Sequence, residues 1–270
     1  MNIYNAFALL MGLFSLQACT NPTSQQVGGK SDTVKVTDTL SQVVVDSSTV
    51  DKPTITDPKK GQILLVRSYR VWEKRDPTAV LNKDWYDLYE ENGKYYLEKV
   101  DYEIKDGYDE CAGVPIRSIE SRRNSLLFLK LEGLQAGALE NLKVTHSEIW
   151  PQESVEYAFK NQKVTLRGFG TIKSTEVQTD DKGHEKLFHE VTNYKLSYIS
   201  NKENKEMTLF HIDQFDDVFM STLFVGDIDR DGVLDFIFSN PSHYEEQAML
   251  LFLSNHGNAL TFEADAQFDC

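Results

Sequence analysis

The 270-residue sequence predicts an all-β domain, on three observations. Short runs of β-branched, aromatic and aliphatic residues recur through residues 61–270, separated by polar turn segments. An Asn-Gly pair lies between two of these runs, the strongest short-range hairpin signal. No stretch sustains the 3.6-residue apolar period of a long helix. The expected architecture is an antiparallel sandwich or partly open barrel of short strands.

Taken in order, Ile63-Leu64-Leu65-Val66 opens the ordered region near Gly61 as an apolar, β-branched strand. Trp85 to Tyr89 and Tyr95 to Val100 flank Glu91-Asn92-Gly93-Lys94 and form the hairpin. Leu126 to Leu129 has the continuous apolar character of a central strand. Leu134 to Leu142 is the one segment with helical potential, weakened by Gly137. Val155–Phe159, Val164–Leu166, Tyr194–Ile199 and Met207–Ile212 are further strands, and Met249 to Ser254 is the last strong one.

The segment from Val225 to Phe238 carries the clearest chemistry. Asp227, Asp229, Asp231 and Asp235 fall at positions 1, 3, 5 and 9 of one loop, with Gly232 directly after the third Asp, where the chain must turn sharply. Hard oxygen donors at alternate positions of a curled backbone suit Ca2+, which takes six to eight of them. Loops of this kind add a backbone carbonyl, here that of Val233, and bind the last Asp through both oxygens. An EF-hand needs a Glu at position 12 and flanking helices; this loop has Phe238 there and strand-like flanks. The pattern Gly-Asp-x-Asp-x-Asp-Gly-x-x-Asp-Phe resembles the FG-GAP repeat of integrin-type β-propellers. The motif occurs once, with no copy at a fixed period, so a complete propeller is not expected. Residues 221–270, with Ser242-His243-Tyr244 and a Leu-Phe-Leu-Ser run before Cys270, also resemble the end of a group of uncharacterised bacterial secreted proteins.

Residues 1–18 hold an apolar run, Phe7 to Leu16, too short to span a bilayer and suited to a signal peptide. It ends in Leu16-Gln17-Ala18-Cys19, which resembles the bacterial lipobox and implies a lipidated Cys19. Residues 19–60 lack any aromatic side chain or period and read as a disordered tether, leaving 61–270 as the folded domain. With Cys19 lipidated, Cys111 and Cys270 remain, either as a disulfide in an oxidising compartment or as two thiols. The expected address is the bacterial envelope, at the outer membrane or cell surface or in the periplasm, with the membrane contacted through lipid.

The formal charge of −14 argues against nucleic-acid binding, which needs clustered Lys and Arg. His184 and His189 are five apart, not the four of a zinc-binding HExxH, and read as part of a turn entering a strand. No nucleophile elbow, phosphate loop or dinucleotide fingerprint is present. The functional expectation is a calcium-binding, lipid-anchored binding or scaffold module with a protein or glycan partner. An envelope hydrolase with a pocket near His243 is the alternative.

Overall fold

The structure is a computed structural model that describes residues 54–55, 61–72, 75–179, 182–201, 205–254 and 259–268. The expected signal peptide, Cys19, most of the expected tether and Cys270 lie outside these residues. The chain divides into two units, Met1–Val45 and Asp46–Cys270, and all the described strands belong to the second.

The described residues of the second unit are all-β, and none of the sheets they form closes into a barrel. Three of its strands have only two residues each: β1 (Thr54–Ile55), β9 (Gly137–Ala138) and β10 (Glu140–Asn141). Between β1 and β9 run β2 (Gly61–Leu64), β3 (Ser68–Arg70), β4 (Tyr86–Glu91), β5 (Lys94–Lys99), β6 (Tyr102–Asp109), β7 (Val114–Ser121) and β8 (Ser125–Leu131). After β10 come β11 (Ser154–Phe159), β12 (Gln162–Thr179), β13 (Glu185–Ser200) and β14 (Lys205–Gln214). The last four are β15 (Ser221–Asp227), β16 (Asp235–Ser239), β17 (Glu246–Leu253) and β18 (Leu260–Gln267).

The central layer is a six-stranded sheet in the order β1-β18-β17-β16-β15-β10, antiparallel except where β1 pairs with β18. Thr54–Ile55, within the stretch assigned to the tether, thus contributes a parallel edge strand. The five-stranded sheet β2-β8-β4-β5-β9 shares a core with one face of the central sheet through Phe224, Ile237 and Leu251. The four-stranded sheet β11-β12-β13-β14 shares a second core with the other face through Phe236, Phe238 and Phe252. Successive side chains of a strand point to opposite faces. A strand with both faces covered therefore reads as an unbroken apolar run, which is why Phe236-Ile237-Phe238 and Met249 to Leu253 show no polar alternation.

The Asn-Gly hairpin lies where expected, with Glu91 opposite Lys94 and both turn residues in the left-handed region, Asn92 at φ 54° and Gly93 at φ 78°. Two elements differ from expectation. Leu134 to Leu142 forms no helix; it carries β9 and β10, which dock on β5 and β15. Edge pairing wins over weak helix propensity there. The hairpin β12–β13 runs for 18 and 16 residues, far past the short segments legible in the sequence. Its distal part, Thr171–Thr179, is exposed at every position, Ile172 and Val177 included, so no burial pattern marks it.

Candidate calcium site

The Asp loop joins β15 to β16 at one end of the central sheet. Asp227 closes β15 and Asp235 opens β16, so the strands hold the two ends of the loop while the intervening residues curl. Gly232, at φ 86°, takes the sharp turn that the sequence assigns to it. Hydrophobic side chains pin the loop from inside: Ile228, Val233 and Leu234 are all buried.

The carboxylates organise the loop's own backbone. Asp235 is fully buried; one oxygen accepts the Ile228 N–H at 2.7 Å and the other the Ser254 N–H at 3.1 Å. Asp227, also buried, accepts the Gly232 N–H at 3.0 Å through Oδ2. Asp229 Oδ1 accepts the Asp231 N–H at 3.2 Å, and Asp231 Oδ1 accepts the Val233 N–H at 2.8 Å. Of the residues predicted as ligands, Asp227, Asp229 and Asp235 come together, each offering an oxygen within 4.8 Å of the others. Asp231 lies on the same curl, and Val233 is buried beside it.

Electrostatically the cluster is under load. Burial pushes the Asp235 carboxyl well above the usual carboxylate range, and the Asp229 charge adds to that shift. Asp229 is raised by burial and then by Asp231. Both shifts express one physical fact: these oxygens are short of positive charge where they sit. Asp227 Oδ1 makes the same point geometrically, being buried without a hydrogen-bond partner. A hard divalent cation among Asp227, Asp229 and Asp235 answers both deficits, so the residues present fit the ion that the loop implies.

No protein-family model, curated protein or solved structure matches this chain. The site therefore stands on its own chemistry.

Residues that the sequence did not flag brace the loop from three sides. Lys160, in the β11–β12 turn, reaches Asp227 Oδ2 and Glu140 Oε2, both at 3.2 Å. Gln162, at the start of β12, donates to the Gly232 carbonyl at 3.1 Å. Arg230, itself left-handed at φ 64°, donates to the carbonyls of Ala136 and Ala138, both at 3.2 Å. These partners lie 67 to 94 positions away in sequence; the β10–β15 pairing brings the Ala136–Glu140 segment close, and packing of the four-stranded sheet on the central one brings Lys160 and Gln162.

The other candidates fall elsewhere. His243 follows the far end of β16, about 13 Å of strand from Asp235 at roughly 3.3 Å per residue. Its neighbour Ser242 donates through N–H and hydroxyl to Glu246, at 2.7 and 2.8 Å, closing a turn. His189 lies in β13, bonded to Thr175 Oγ1 at 2.7 Å and edge-on to Trp150. It shares no helix with His184. Cys111 is disulfide-bonded; the other two cysteines, Cys19 and Cys270, lie outside the described residues. A cleft of about 880 Å³ is lined by Tyr69, Trp72, Arg75 and Asp265 among others, away from the Asp loop.

Proposed function

We propose that this chain is a calcium-binding envelope protein, lipid-anchored through Cys19, whose β-domain serves as a binding or scaffold module. The observation that carries the calcium reading is the meeting of Asp227, Asp229 and Asp235, each offering an oxygen within 4.8 Å of the others, with Asp227 Oδ1 buried and partnerless. Asp227, Asp229 and Asp235 would hold the ion, with Asp231 and the Val233 carbonyl filling further positions of its shell. The ion would supply the positive charge that the buried carboxylates lack. No catalytic step is assigned to it: every carboxylate of the loop is engaged with loop backbone, and the surrounding side chains are structural braces or core. The anchor reading rests on the lipobox-like Leu16 to Cys19 and the aromatic-free, tether-like stretch after it.

Isothermal titration of the chelator-treated protein with CaCl2 tests the site. Saturable binding that vanishes in Asp229→Ala is the expected result; an empty wild type in millimolar calcium sinks the reading. Metabolic labelling with a fatty-acid probe tests the anchor, with label present in the wild type and absent in Cys19→Ser.

A further inference from the structure

Lys160 is the one ammonium that contacts the Asp cluster among the described residues, and its position is unusual in two ways. It occupies the first of the two central positions of the β11–β12 hairpin, between paired Phe159 and Gln162, with φ 50°. Two-residue hairpins place Gly, Asn or Asp where φ is positive, so a lysine there holds a backbone conformation that its side chain disfavours. The side chain is exposed yet reaches the cluster from its rim: Nζ lies 3.2 Å from Asp227 Oδ2 and 4.7 Å from the centre of the Phe159 ring. Its second carboxylate, Glu140, is the direct cross-strand neighbour of Asp227. Like charges placed opposite one another on adjacent strands repel, and Lys160 bridges this pair.

The two oxygens of Asp227 are thereby divided. Oδ2 is taken by Gly232 N–H and Lys160, while Oδ1 is buried with no hydrogen-bond partner. Building on the calcium reading, we infer that Lys160 is the site's resident counter-cation. It neutralises Asp227 in the metal-free protein, keeps the loop curled in its binding shape, and opposes the entering ion through like-charge repulsion. Calcium affinity is set by this opposition: the loop remains folded when metal is scarce and fills only where calcium is abundant. A lysine that merely fastened the hairpin would affect affinity and metal-free stability in the same direction. A resident counter-cation affects them in opposite directions.

The test uses the full chain with Lys160→Met, which keeps the stem and removes the charge, Lys160→Gln as a second neutral variant, and Lys160→Arg as a charge-retaining control. Calcium titration and thermal melts in chelator are the two readouts. The neutral variants are expected to bind calcium about tenfold more tightly and to melt about 2–4 °C lower without metal, with Lys160→Arg close to wild type in both. Neutral variants that fold yet bind calcium no more tightly than wild type overturn the inference while leaving the calcium site standing. Wild type and neutral variants all empty in millimolar calcium overturn the calcium reading and this inference together.

Discussion

Asp87 in the five-stranded sheet and Asp235 in the central sheet are both fully buried, yet the chain balances only one of them with a cation in contact. Asp87 Oδ2 meets the Arg123 guanidinium at 3.4 Å and the Ser121 hydroxyl at 3.1 Å. Arg123 also pairs with Glu98 at 2.8 Å and lies over the Tyr89 ring, so it is held in place from several directions. Asp235 has two backbone amides and, among the described residues, no cationic side chain bonded to it, and the charges of Asp229 and Asp231 act on it. A buried charge without an opposite charge costs several kcal/mol. Asp87 has its cation within the chain, though its Oδ1 is buried without a hydrogen-bond partner, whereas on the calcium reading the Asp235 cluster takes its cation from solution.

Asp235→Ala should widen that contrast most. It strips hydrogen-bond partners from the buried Ile228 and Ser254 amides and ends metal binding, an expected loss of about 3–5 kcal/mol, read as a denaturant midpoint shift in saturating calcium. Next comes metal removal from the wild type. At calcium a hundredfold above Kd, binding contributes about 2.7 kcal/mol, or roughly 5–10 °C in Tm for a domain of this size. Adding chelator should erase that shift in the wild type and change nothing in Asp229→Ala.

The smallest expected effect is at Asp87, and it is one of pH dependence. Burial raises its carboxyl above the ordinary 3.8, with Ser125, Ser121 and Arg123 offsetting part of the rise. The folded state therefore holds this proton more tightly than the unfolded chain does. The corresponding stability is fully present below pH 3.8 and is lost as pH climbs through the raised folded value. Asp87→Asn should remove that slope from a plot of stability against pH and leave calcium affinity untouched. A slope that survives the substitution would mean other groups produce it.

The all-β class, the Asn92-Gly93 hairpin and the curl of the Asp loop were legible because each is local: a turn type, an apolar run, an alternation of carboxylates. The distal β12–β13 ribbon was not, since exposed Thr, Ser, Lys and Glu carry no burial signal. Leu134 to Leu142 misled because its fate is decided by the strands beside it, β5 and β15, and not by its own propensity. The braces were hidden for the same reason. Lys160 and Gln162 look like ordinary turn and strand residues until the four-stranded sheet folds against the central one and carries them to the loop.

The Ser254 amide on Asp235 has a consequence for timing. Ser254 follows β17, so the innermost carboxylate gains its second amide only after the chain has turned back once more beyond the loop. A chain emerging only as far as residue 240 would have the acidic motif without the Ser254 donor to Asp235 and, on the calcium reading, would hold the ion less well. On that reading the loop would reach its full set of backbone donors only once β17 has paired with β16.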